Sequence, residues 1–402
     1  MEENISIFDL LPTEEVEKYK PKKSTDWKWT MAKDYPTEKN GLKVFSCFAC
    51  GGGSTMGYKL AGCEVLGCCE IDPKMNEVYV KNHHPKYNFL MDIREFNALP
   101  NEEIPAELFD LDILDGSPPC TTFSMAGQRE ESWGKKKKFR EGQKEQTLDD
   151  LSFVFIDTVK KLKPKTVIME NVEGLLLGEA FEYVRNIYTQ MREAGYRMHH
   201  WLLKGENMCV PQTRHRAIFV AIKNDIGFDP SVLDMTFNYE PVPFGLVRTK
   251  NGIPFRSETE AKKWLDLSLP CDKRLADVVI RHGLPEKLFT HKIYQDHNVA
   301  QTLAAAGDYY RGFDKTKISA MDCVSVQTFP QDFDFLTDSP TFTQYICGMS
   351  VPPIMIKRIV TRLIEQGVYD YAKSVRSLQE KGHLPRHLFP KKGLSASLEK
   401  EE

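Results

Sequence analysis

A cysteine delivered behind two prolines is the position in this chain whose setting first suggests chemistry. The stretch Asp115-Gly-Ser-Pro-Pro-Cys120 leaves an apolar run and reaches the thiol directly after Pro118 and Pro119. Proline fixes φ and gives up its N–H, so the turn presenting Cys120 holds one shape. A thiol is partly ionised near neutrality and its thiolate is intrinsically nucleophilic, which makes Cys120 a candidate nucleophile. Burial as an inert thiol is the usual state of cysteine and suits Cys63, Cys68, Cys69 and Cys323. Two further groups could assist. Glu170-Asn171-Val172 ends another apolar run, where a carboxyl group is an acid or hydrogen-bond partner for a ring nitrogen. Gln212, Arg214 and Arg216 precede a third, and alternation puts both arginines on one face, suited to a carbonyl oxygen, a phosphate or a carboxylate.

A second set of residues points to a nucleotide-like ligand. Phe48 to Gly62, FACGGGSTMGYKLAG, lies between a strand and a helix. Its glycines let the backbone approach a ligand, and the helix N-terminus favours electronegative groups. About twenty residues on, Glu70-Ile71-Asp72 sets a carboxylate where a ribose diol is bound in such folds. Asp92 can accept from an adenine amine. Lys135 to Lys138 form an unbroken basic run, with Arg140 and Lys144 behind them, suited to phosphate contact. Cys47 and Cys50 form a C-x-x-C with no second ligand pair at finger spacing, so no metal site is expected.

The elements that must position these groups alternate in type. Strand-like runs fall at Leu42–Cys47, Val65–Cys69, Leu111–Leu114, Thr166–Met169 and Ala217–Ile222, with another before Asp92. Leu148, Leu151, Phe155, Val159 and Leu162 recur at helical spacing until Pro164. Such alternation predicts a mostly parallel sheet covered on both faces, with ligands at the strands' carboxyl ends. From Lys223 the chain becomes irregular and rich in Pro, Gly and charge. An apolar-periodic helix returns at Pro352–Gln366, expected to pack back on the first domain.

The 402 residues suffice for one large α/β domain and a smaller one, and the net charge of −3 requires any nucleic-acid contact to use a local basic face. No run is apolar enough to span a bilayer, and MEENISIFDL lacks the layout of a secretion signal, so a cytoplasmic protein with reduced thiols and no membrane partner is expected.

Taken in order, these motifs resemble the cytosine-C5 DNA methyltransferases over residues 42–222 and 316–366. KISAMDCVSVQTFPQDF and QYICGMSVPP look like that family's last two motifs, and Thr302-Leu303 like the pair closing its target-recognition region. The resemblance implies a Rossmann-like methyltransferase domain with a mostly parallel seven-stranded sheet and a smaller irregular target-recognition domain. It divides the chain into an extension (1–41), a catalytic domain (42–222), a recognition domain (223–335), a returning helical segment (336–372) and a tail (373–402). It implies S-adenosylmethionine as cofactor, double-stranded DNA as partner, a cognate restriction endonuclease as a further one, and a monomer of bacterial or phage origin.

Roles carry over residue by residue. Cys120 would attack C6 of a flipped cytosine, Glu170 would serve N3 and the exocyclic amine, Arg216 would hold O2, and Arg214 would support the geometry or a phosphate. Phe48, Gly52, Gly53, Glu70, Ile71, Asp92, Pro119 and Ser350 would bind cofactor. Asn171, Gln212, Thr302, Lys135 and Lys136 would contact substrate. Ser46, Cys50 and Met349 depart from the family pattern, where an acid, a glycine and an asparagine are usual. The alternatives are a tRNA cytosine methyltransferase, for which the marker Cys-Phe-Thr is absent between Lys223 and Asp314, and a catalytically silent DNA-binding relative.

Overall fold

The computed structural model describes residues 21–119, 150–178 and 180–370. Its strands are β1 (Lys43–Cys47), β2 (Glu64–Glu70), β3 (Tyr87–Leu90), β4 (Ile113–Gly116), β5 (Thr166–Val172), β6 (Tyr196–Lys204), β7 (Gln212–Thr213), β8 (His215–Lys223), β9 (Lys292–Tyr294), β10 (Ala300–Gln301), β11 (Tyr309–Arg311) and β12 (Thr316–Lys317). The helices are α1 (Met31–Asp34), α2 (Gly53–Leu60), α3 (Pro73–His83), α4 (Ile93–Ala98), α5 (Leu151–Leu162), α6 (Ala180–Glu193), α7 (Phe244–Val247), α8 (Glu260–Asp266), α9 (Leu275–Arg281), α10 (Ala320–Val326), α11 (Pro340–Met349) and α12 (Pro353–Glu365).

Seven strands form one sheet in the order β3-β2-β1-β4-β5-β8-β6. All neighbours are parallel except β8, which runs antiparallel to β5 and β6. The fold is the expected Rossmann-like one. Strand order reverses between β1 and β4, the place where a parallel sheet opens a crevice at its carboxyl edge. Alternation along each strand feeds two cores. Val44, Ile113, Ile168 and Val220 face α2 and α12, while Phe45, Leu114, Val167 and Phe219 face the layer containing α4, α5 and α6. Helix α12 packs against α2. Gly57 lets α12 approach α2, since a Cβ there would lie 2.5 Å from Ile356.

Two features escaped the sequence pattern. Strand β6 reads YRMHHWLLK and lies at the sheet's edge with Arg197, Leu202 and Lys204 exposed, so its apolar alternation is weak. Residues 21–40 show no period, yet they pack on the main body. Trp29 is buried with its indole N–H donating to the Thr328 carbonyl at 2.8 Å, and Asp26 pairs with Arg358 at 2.6 Å.

The region after β8 holds a small sheet, β12-β11-β9, beside α8 and α9. Strand β10 pairs in parallel with β7, joining this region to the approach of β8. Arg311, fully buried, meets Asp314 at 2.8 Å and Asp322 at 3.5 Å, fixing β11 to α10.

Candidate active site

At the carboxyl edge lies a cavity of about 570 Å³, within the range of small-molecule sites. One end is walled by Phe48, Cys50, Glu70, Ile71, Met75, Met91 and Asp92, the other by Glu170, Asn171, Arg214, His215, Arg216, Lys292 and Thr302. Ser117, Pro118 and Pro119 lie on its wall too, as the continuation of β4. Cys120, Lys135 and Lys136 lie outside the described residues.

At the first end, Glu70 terminates β2. Its carboxylate accepts from the Cys50 N–H at 2.8 Å and the Asp72 N–H at 2.9 Å, one bond per oxygen. Burial raises its pKa while these backbone donors oppose the rise. Each oxygen keeps a lone pair, so a ribose diol would find acceptors here. Asp92 caps α4, accepting from the Arg94 N–H at 2.8 Å. Phe48, Ile71 and Met91 supply apolar wall. The donor set and shape fit an adenosine-type ligand.

Phe48 and Cys50 both have positive φ, 57° and 47°, a conformation that glycine takes without strain. The departure at Cys50 therefore puts a side chain where the backbone favours none. Burial, with Glu70 beside it, pushes the Cys50 thiol up to about 12.

Four residues expected to contact ligand, Gly52, Gly53, Ser350 and Gln212, are not among those that line the cavity. A Cβ on Gly52 would lie 2.0 Å from His83, and one on Gly53 2.1 Å from the Val351 carbonyl, so close packing explains both glycines. Ser350 donates its hydroxyl to the Ile346 carbonyl at 2.8 Å. Gln212 is fully buried, donating to Val326 and Gln327 and accepting from the Leu303 N–H at 3.0 Å.

At the second end, Arg216 Nε donates to Glu170 Oε1 at 2.6 Å, and both side chains are mostly buried. Asn171 donates to the Pro118 carbonyl at 3.3 Å and binds strand β5 to the turn before Cys120. Arg214 does not share Arg216's partner. Its guanidinium donates to the carbonyls of Leu303 (2.9 Å), Gly348 (3.1 Å) and Ser350 (3.0 Å). The residue precedes β8, so strand alternation does not govern it. Burial lowers its pKa to about 9, which leaves it charged at neutral pH. His215 turns to Glu206 at 2.9 Å and Glu173 at 3.5 Å. Thr302 donates to the Thr213 carbonyl at 2.6 Å. Lys292, which no motif reading singled out, donates to the Thr302 carbonyl at 2.7 Å and brings a cation from β9 to this wall.

Residues 42–302 match the family described as C-5 cytosine-specific DNA methylase. The chain belongs to that family. Among similar proteins, the type II methyltransferase M.FnuDI of Fusobacterium nucleatum is 24% identical over 374 residues, covering 85% of this chain and 99% of that one. M.NgoFVII of Neisseria gonorrhoeae, also a type II methyltransferase, is 26% identical over 369 residues, covering 84% and 87%. A mutant of Spodoptera frugiperda DNMT2 superposes with a TM-score of 0.55 at 16% identity over 81% of this chain and all of that one. The S. pombe Dnmt2 methyltransferase gives 0.53 at 16%, over 81% and 99%. These structural likenesses concern the fold. Family membership implies S-adenosylmethionine as methyl donor. Among the described residues, no helix is long and apolar enough to cross a membrane, and no cluster of three His, Cys, Asp or Glu could hold a metal.

Proposed function

We propose that this methylase methylates C5 of a flipped cytosine in duplex DNA through a covalent bond to Cys120. The observation that carries the reading is the Glu170–Arg216 pair, 2.6 Å apart, on the wall of a cavity that continues to Glu70 and Asp92. A carboxyl group and a guanidinium side by side match the N4–N3–O2 edge of cytosine: the acid serves the amine and N3, the cation serves O2.

The thiolate of Cys120 forms a bond to C6, and the C5–C6 π electrons move so that C5 becomes nucleophilic. A proton held at N3 by Glu170 and a hydrogen bond from Arg216 at O2 absorb the charge that develops in the ring. Glu70 would hold the cofactor's ribose, Asp92 its adenine amine, and Phe48, Ile71 and Pro119 would pack against it. When bound, S-adenosylmethionine would supply the methyl group that C5 takes up, its sulfonium S–CH3 bond breaking to leave the thioether S-adenosylhomocysteine. Loss of the C5 proton to water or a neighbouring base then re-forms the double bond and expels the thiolate. The target base must leave the duplex first, at a cost of a few kcal/mol. Thr302 supports a substrate contact beside the pair, and Arg214 acts through the walls it joins. A modification role alongside a cognate endonuclease is proposed by analogy with the relatives named type II methyltransferases, and the enzyme is proposed to act as a monomer.

The test is methyl transfer from radiolabelled S-adenosylmethionine to duplex DNA and to tRNA. Label at C5 of DNA cytosine is expected, with Cys120→Ala inactive and DNA carrying 5-fluorocytosine trapped as a denaturation-resistant adduct. Label confined to tRNA, or an active Cys120→Ala, overturns the reading.

A further inference from the structure

A carboxyl group at the centre of the sheet has no part in the chemistry above. Asp115 is 2% exposed, and among the described residues no Lys, Arg or His forms an ion pair with it. Its partners are neutral hydroxyls. Ser46 on β1 donates to Oδ2 at 2.6 Å and Tyr58 on α2 donates to Oδ1 at 3.0 Å. An acid without a counter-charge is costly to bury. Nothing in the packing of β4 alone requires one.

The three elements that meet at this group all lead to the cofactor end of the cavity. Two residues beyond Ser46 the chain reaches Phe48, and two beyond Asp115 it reaches Ser117, both on the wall. Tyr58 lies on the helix that begins at Gly53, directly after the glycine loop. Ser46 and Asp115 are register partners on adjacent parallel strands, so their side chains leave the same face of the sheet side by side.

We propose that Asp115 is a positioning residue for the cofactor: its carboxyl group ties β1 and α2 to β4 and so sets Phe48 and Cys50 opposite Ser117 to Pro119. The group is needed at this place in the sheet, whichever register partner carries it. The inference rests on the reading of that end as the S-adenosylmethionine site.

A transposition tests it, with calorimetric Kd for S-adenosylmethionine and a separate Kd for duplex DNA as readouts. Asp115→Ser loosens the cofactor by about tenfold or more, as expected for loss of hydrogen bonds to a carboxylate, with DNA binding within about twofold. Ser46→Asp alone sets two acids against each other and also weakens binding. The double variant Ser46→Asp/Asp115→Ser returns to within about threefold of the wild type, the non-additive outcome that two residues sharing one function produce. A merely structural role would lower the melting temperature without this rescue. Unchanged affinity in Asp115→Ser, or a double variant no better than Asp115→Ser, overturns the proposal. Should Asp115→Ser not fold, Asp115→Asn keeps the shape while turning one acceptor into a donor. It weakens the cofactor several-fold if the proposal holds, and wild-type affinity there sinks it. A wild-type protein that binds no S-adenosylmethionine overturns the functional reading itself and this inference with it.

Discussion

Glu170 and Arg216 satisfy each other before substrate arrives, which keeps two charges tolerable on a mostly buried wall. A cytosine entering between them must be worth the broken pair, so both residues are tuned to an edge that offers an amine and a carbonyl together. Glu170→Gln keeps the shape but cannot take up a proton and pass it to N3. It should lower kcat by about 10² to 10⁴, with KM for DNA changed far less, as measured by steady-state methylation. Lys292 should behave differently. Its ammonium has donors to spare beyond the Thr302 carbonyl, so Lys292→Ala should raise KM for DNA and reduce the salt slope of binding by about one, leaving cofactor Kd unchanged. An unchanged slope would show that the lysine serves only Thr302. Cys120, Glu170 and Asp92 could be singled out in the sequence because each follows a strand-like run and carries a reactive or polar group. Lys292 could not, since its importance lies in a tertiary approach between β9 and the wall. Gln212, Ser350, Gly52 and Gly53 were legible as special positions, but a sequence reveals that a small or polar group is required without revealing what it faces.

The strand is the scale at which Asp115 becomes titratable in a useful range. Burial pushes its pKa up to about 7, while the hydroxyls of Ser46 and Tyr58 pull down and Glu170 pushes further up. A carboxyl whose folded pKa exceeds its unfolded one favours the fold fully at low pH and loses that contribution as pH rises through the folded value. The window here runs from about 4 to about 7, and the loss is at most about 4 kcal/mol at 1.36 kcal/mol per unit. Asp115→Asn does not titrate, so its stability relative to the wild type should rise between pH 5 and pH 8 in urea unfolding. A constant difference would mean that Asp115 is ionised with no penalty. The sequence exposed most strands of the central sheet because their apolar runs are bounded by turns. It did not expose β6, whose outer half faces water, nor the packing of Trp29 and Asp26, which depends on partners more than 290 positions away.

Across the molecule, the site exists only because chain segments far apart in sequence are held at one edge. Tyr345, Gly348 and Met349 of α11 and Thr302 to Ala305 after β10 complete the cavity wall, and neither segment touches the seven-stranded sheet through strand pairing within it. Arg214 joins them. One guanidinium takes carbonyls from Leu303, Gly348 and Ser350, tying the recognition side and the C-terminal side to the entry of β8. Placing a charge in full burial is repaid only while all three acceptors stay in reach. Lysine keeps the charge but lacks the planar fork and cannot serve three carbonyls spread over two segments. Arg214→Lys should therefore lower the melting temperature and raise KM for both DNA and S-adenosylmethionine, because the two walls loosen together. A residue that contacted a substrate phosphate would instead raise KM for DNA alone and leave the cofactor's Kd where it was. Measuring both constants in the one variant decides between a brace and a ligand.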